Sequence, residues 1–242
     1  MDAYKQTNKL FELIAVGLAV ALTKTIADWL STTPLVQNNP WLTWVVSIGL
    51  VVLLNETITF MFQTFYEQFK PLRQLLLGNQ FVEGTWIEFV SQGQKIISIG
   101  ISNISSSGYE LKISGNNHAL NGNLRYGFSS TADMVKVEWP VFRYVYEEWP
   151  LEGHQDTIQG VAHIKFGPTN NRPTIYTGAF SDIGTGVLTG IEGRLITSKD
   201  ELKSISNPAE IRKVLKKYLI QRKQEIADSE EFEAEVEKLL EE

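Results

Sequence analysis

The 242-residue sequence predicts a membrane-anchored all-β protein: two N-terminal transmembrane helices, an eight-stranded antiparallel β-barrel, and a charged helical C-terminal tail. Three observations carry this. Two apolar runs, Leu10 to Leu30 and Trp41 to Phe62, stand in tandem at the N-terminus. From Phe81 the hydrophobic period becomes two, with turn residues between short runs. After Thr197 the charges segregate, basic first and acidic second. The boundaries follow as 1–77 for the helical hairpin, 78–197 for the ligand-binding barrel and 198–242 for the tail. The net charge of −6 argues against long nucleic acid as a partner. The chain has no cysteine, and its three histidines lie far apart with no metal-ligand spacing.

Trp41 to Phe62 forms a helix of ~33 Å at 1.5 Å per residue, against a hydrocarbon core of ~30 Å. Trp41 and Trp44 mark one interface. Lys5 and Lys9 precede the first span, and Lys70 and Arg73 follow the second. The connecting loop, Ser31 to Pro40, has no charge. The excess of positive charge places both ends of the hairpin, and hence the barrel, in the cytoplasm. Asn55 and Glu56 interrupt the second span. Glu56 lies ~22 Å from its outer end and Lys24 only ~9 Å from the outer end of the first, so the two cannot pair. Glu56 is then protonated, reaches the interface, or meets a polar group on another subunit, which makes Asn55 and Glu56 the candidate membrane and assembly residues.

The predicted strands are Thr85–Val90, Lys95–Asn103, Tyr109–Ser114, Leu120–Phe128, Met134–Tyr146 (bent at Pro140), Thr157–Phe166, Thr174–Phe180 and Gly186–Ile196. Turns fall at Gly115-Asn116-Asn117 and Ser129-Ser130, among others. Eight strands with no helix between them favour a closed up-and-down barrel. Alternation puts Ile97, Ile99 and Ile101 inside, with Leu111 and Ile113, Tyr126 and Phe128, and Val135, Val137 and Trp139; Ser98, Ser102, Arg125, Lys136 and Glu138 face out. Such a barrel is filled by side chains or holds one small ligand. Tyr109, Tyr126, Trp139, Tyr144, Tyr146 and Tyr176 offer ring faces and hydroxyls suited to a base. Gly84-Thr85-Trp86 on the first strand and Arg194 on the last form a lipocalin-like signature, in which the Arg packs over the Trp and closes one end of the barrel.

In the tail, Asn207-Pro208-Ala209-Glu210 reads as a helix start. Six basic residues lie between Arg212 and Lys223, and eight acidic residues with one Lys from Asp228 to Glu242. Ser229 is a candidate cap for a second helix. The pattern reads as a solvated helical pair, a subunit contact or a surface for anionic lipid. No nucleotide-binding loop, nucleophile elbow or metal motif is present, so no enzyme activity and no cofactor are expected. Glu147, Glu148 and Glu152 read as a solvated rim rather than an acid–base pair.

Two transmembrane helices feeding directly into a barrel opened by Gly84-Thr85-Trp86 and ended by FSDIGTGVLTGIEGRLI (Phe180 to Ile196) resemble the SMODS-associated two-transmembrane, β-strand-rich effectors of bacterial CBASS antiphage systems. The resemblance spans Leu10 to Thr197. It implies a cyclic nucleotide ligand made by a partner nucleotidyltransferase, homo-oligomerisation on binding, and breach of the inner membrane. For such a ligand the candidates are Tyr109, Arg125, Tyr126, Trp139, Arg143 and Thr189, cations and donors for phosphate and rings for a base; Arg125 qualifies only at a rim. The alternative is a tethered lipocalin-like carrier or sensor of an apolar ligand.

Overall fold

A computed structural model describes residues 3–34, 39, 41–93, 95–107, 110–150, 157–169 and 171–241. The chain divides into two compact units. One comprises Met1–Phe81 with Ser106–Glu110, the other Val82–Ser105 with Leu111–Glu242. The tail falls in the same unit as the barrel.

In the first unit, α1 (Ala3–Leu30) and α2 (Trp41–Gln68) are followed by the short α3 (Lys70–Leu77) and a 3₁₀ turn (Gly78–Gln80). Both long helices are long and apolar enough to cross a membrane. α1 buries every fourth residue: Thr7, Phe11, Ala15, Ala19 and Thr23. This stripe of mostly small side chains lets the backbones of α1 and α2 approach closely. At one end of it Phe11 stacks on Phe62, 5.6 Å between centroids, and meets Tyr66 edge-on at 5.5 Å. Asn55 is half-buried, with its Oδ1 enclosed and without a hydrogen-bond partner, whereas Glu56 is exposed. Arg73 of α3 is buried and donates to the carbonyls of Tyr66 (2.8 Å) and Glu67, among the last of α2, where a cation complements the helix dipole.

In the second unit eight strands form a closed antiparallel barrel in sequence order: β1 Gly84–Gln92, β2 Lys95–Ser107, β3 Glu110–His118, β4 Leu124–Glu138, β5 Val141–Pro150, β6 Ile158–Phe166, β7 Ile175–Asp182 and β8 Leu188–Leu195. The strand count agrees with the sequence reading, but two turns do not. Gly115-Asn116-Asn117 lies within β3, and the chain reverses at 119–123, where the Ala119 N–H donates to the Asn123 carbonyl (2.8 Å). Ser129 and Ser130 lie within β4. That strand absorbs its irregularity as a break in register between Ser130 and Val135, and the corner falls at Trp139-Pro140.

The register also corrects the faces. Trp86, Glu88 and Val90 of β1 sit opposite Ser102, Gly100 and Ser98, so on β2 the small and polar residues point into the barrel. Ile99 and Ile101 point outward. They join Ile87, Phe89 and Ile196 in an apolar cluster on the outer wall, closed by Leu215 and Leu219. Those last two lie on α5 (Pro208–Glu241), which follows the short α4 (Lys199–Ile205). The strand β1 is thus buried on both faces, by the barrel interior and by a helix. On β3 and β5 the expected apolar-in pattern holds, with Leu111, Ile113, Phe142 and Tyr144 buried, and on β4 the half-buried Val135 and Val137 lie opposite Tyr144 and Phe142.

α5 begins as expected, the Asn207 Oδ1 accepting from the Ala209 N–H (3.1 Å). It then runs to Glu241 as one helix, continuing through Ser229 rather than restarting there. Its basic half straps the barrel with its apolar side, because the outward Ile side chains of β1 and β2 need cover, while Arg212, Lys213, Lys216, Lys217 and Lys223 stay exposed.

Candidate functional site

The two ends of the barrel differ. At one end Trp86, Trp139, Phe142, Phe166 and Tyr176 pack as a plug. Trp86 lies 5.6 Å from Phe166 and 5.0 Å from Tyr176, Phe142 lies 4.8 Å from Phe166, and Trp139 stacks on Phe166 at 5.9 Å. The Trp86 Nε1 donates to the Val82 carbonyl (3.1 Å). At the other end lies a cavity lined by Glu88, Val90, Asn117, Tyr126, Phe128, Tyr144, Tyr146, Glu148, Ala162, Phe180 and Ile191. Its volume is about 30 Å³, room for roughly two waters.

Glycines make space for the rings around it. Tyr146 faces Gly160 and Tyr176 faces Gly193 across their strand pairs. A Cβ on Gly160 would meet the Tyr146 ring at 2.3 Å, and one on Gly193 the Tyr176 ring at 2.1 Å. Each tyrosine can therefore lie flat over its neighbour's backbone, with its hydroxyl carried sideways to a carboxylate. Tyr146 donates to Asp182 Oδ1 (2.5 Å), and Tyr176 donates to Glu88 Oε1.

The cavity is rich in acceptors. Asn117 spends its Nδ2 on the Tyr126 hydroxyl (2.7 Å), while its Oδ1 is enclosed without a partner. Burial pushes the Glu88 carboxyl above its ordinary range, outweighing the hydrogen bond from Tyr176, which works the other way. Burial, aided by Asp182, raises Glu148 to about 7, with Arg125 opposing. Burial raises Tyr126, Tyr144 and Tyr146 as well, so all three stay protonated at neutral pH. Such a lining stacks a flat ring and accepts hydrogen bonds from its N–H groups. Among the described residues no Lys or Arg lines it.

The sequence candidates divide. Tyr126 lines the cavity. Arg125 faces outward and is exposed, but its charge bears on Tyr126 and Glu148, which puts it at the rim. Thr189 sits opposite Phe180, half-buried near the same end. Trp139 belongs to the plug and Arg143 to the outer wall, where it pairs with Glu138 (2.5 Å); neither reaches the cavity, because Pro140 turns the chain at the closed end. Trp86 closes the barrel, but not under Arg194. Arg194 pairs in register with Ile87 and so lies outside the wall, 5.6 Å over the Phe89 ring. Glu148 is not a solvated rim residue: β5 continues through it and its alternation turns it inward. Tyr109, Glu152 and His154 lie outside the described residues.

Glu88, Asn117, Glu148 and Asp182 escaped the sequence reading as site residues. A signal for Glu88 was available: two residues after an inward Trp86, it must face inward too. No protein-family model matches the chain, and no curated protein matches it.

Proposed function

We propose that the chain is a membrane-anchored receptor-effector of the CBASS type. α1 and α2 span the bacterial inner membrane with both ends of the hairpin in the cytoplasm. The open end of the barrel takes a cyclic nucleotide made by a partner nucleotidyltransferase, and binding drives self-association of the helices and loss of the membrane barrier. The observation that supports this most is the pairing of ring faces with acceptors at one end of the barrel. Tyr126 and Tyr146 offer stacking surfaces, and Asn117 Oδ1, Glu148 and Asp182 offer acceptors for the amino and imino groups of a base edge. The cavity is too small for a whole nucleotide, so the base stacks at the mouth and its phosphate stays outside, near Arg125. The exposed Glu56 on α2 is the group left for contact between copies.

A second reading, a tethered carrier or sensor of an apolar ligand, is favoured by the lack of a lining cation and by Val90, Phe128, Ala162, Phe180 and Ile191 on the wall. Thermal shift of the full-length chain in a neutral detergent separates the two. Cyclic mono- and dinucleotides should raise the melting temperature, and Tyr126→Ala with Glu148→Gln should abolish the shift. A shift with fatty acids that Tyr126→Ala with Glu148→Gln abolishes, and none with any cyclic nucleotide, would reverse the choice.

A further inference from the structure

A second and larger cavity lies outside the barrel, between α5 and the β3–β4 connection. Its volume is about 440 Å³, within the range of about 300–1,000 Å³ usual for small-molecule sites. Its floor is aliphatic, formed by Ile99, Leu215 and Leu219 of the strap interface with Leu120 and Ile220 beside them. Leu120 is 40 % and Ile220 58 % exposed, so two large apolar side chains stand open to solvent at one place. Among the described residues the charged lining is basic, Arg212, Lys216 and Lys223 with the neutral Asn121 beside them, and includes no carboxylate. Arg212, Lys216, Leu219 and Lys223 recur at helical spacing, which brings them to one side of α5.

These cations differ from the others on the helix. Lys217 bonds Glu201 (2.5 Å), Lys213 lies 3.6 Å from Glu210, and Arg222 bonds Glu192 (2.6 Å). Among the described residues Lys216 and Lys223 form no ion pair, and Arg212 reaches only the neutral Asn123 Oδ1 (3.2 Å). Three uncompensated cations beside an open aliphatic floor, with no aromatic ring to stack a base, match one ligand chemistry: an alkyl chain ending in an anion.

We propose that this groove binds a single-chain anionic amphiphile, a long-chain fatty carboxylate. Its chain lies on Leu120, Leu219 and Ile220, and its carboxylate is held by Arg212, Lys216 and Lys223. The site is separate from the barrel cavity, whose lining is acidic and whose role does not depend on it.

The test uses the full-length chain in phosphatidylcholine nanodiscs and a dodecanoate carrying a diazirine on its chain, with the labelled peptides mapped by mass spectrometry. Label should appear on 120–122 and 212–223. Free dodecanoate should displace it about tenfold more effectively than dodecanol or dodecyltrimethylammonium, which share the chain but not the charge; tenfold corresponds to about 1.4 kcal/mol. Lys216→Glu with Lys223→Glu should cut labelling of these peptides about tenfold, the milder Lys216→Gln with Lys223→Gln should reduce it less, and Lys213→Glu should leave it unchanged. Absence of label from the groove, equal displacement by dodecanol, or labelling indifferent to both double variants would overturn the proposal.

Discussion

Arg194 of the last strand and Glu225 of the C-terminal helix form a two-pronged pair, with Nη1 2.7 Å from Oε1 and Nη2 2.5 Å from Oε2. Glu192 and Arg222 complete a ring of four charges: Arg194 also bonds Glu192 (2.9 Å), and Arg222 bonds Glu192 (2.6 Å) and lies 3.4 Å from Glu225. Strap and wall are thereby held in one register above the apolar cluster. The hydrogen bonds from Arg194 hold the Glu225 carboxyl below its usual range. The ring is partly exposed, so solvent screens it. Arg194→Ala and Glu225→Ala in a double-mutant cycle should give a coupling of about 1 kcal/mol from urea melts, reduced by 0.5 M salt. A coupling of zero would reduce the ring to a surface decoration.

Removing the strap should cost far more. A chain ended at Ser206 lays bare Ile87, Phe89, Ile99 and Ile101 on the outer wall. We expect it to aggregate or to melt well below the full chain by circular dichroism. A truncated chain that remained monomeric with an unchanged melting temperature would mean the helix is dispensable to the barrel.

Gly160→Ala should misplace Tyr146. Its new Cβ falls 2.3 Å from the Tyr146 ring, so the ring must leave its seat and the bond to Asp182 with it. The expected loss is about 1–3 kcal/mol of stability, together with any ligand-induced thermal shift. Tyr146→Phe, which removes the hydroxyl and keeps the ring, should retain most of the stability. Equal losses in both variants would count against the steric account.

The acids of the cavity set a pH dependence. Glu148 is raised from 4.5 to about 7, and Glu88 is raised by burial. In that window the folded chain binds more protons than the unfolded chain, so their contribution is full below about pH 4.5 and fades as pH rises through about 7. The part of the melting temperature that these acids set should therefore fall between roughly pH 5 and 8, while His118, whose pKa burial and Arg212 lower, acts the opposite way as pH rises towards 6.5. Glu148→Gln should flatten the slope, since Asp182, Arg125, Tyr126 and Tyr146 around it then face a group that does not titrate. Glu201 and Glu225, held down by Lys217 and Arg194, act the opposite way and only on the acid side. A slope unchanged by Glu148→Gln would refute the assignment.

The helices, the strand count and the closed order of the barrel were legible in the sequence, because they rest on apolar run length and period two. Which side of each strand faces in was legible only where one side is apolar. On β2 the isoleucines pointed to the wrong side, since a helix from the far end of the chain covers the outer wall and alternation cannot reveal a distant cover. The same cause misled the reading of Arg194, which serves the strap rather than Trp86. The cavity was half-legible: tyrosines announce a polar interior, but the inward turn of Glu88 and Glu148 depends on register, which a shift of one residue reverses.

The two-sided burial of β1 also sets an order in time. Ile87 and Ile101 leave the ribosome long before Leu215 and Leu219, the side chains that will cover them. Until the strap emerges, the nascent barrel carries a bare apolar stripe, and its folding must wait for a helix made well after the wall it covers.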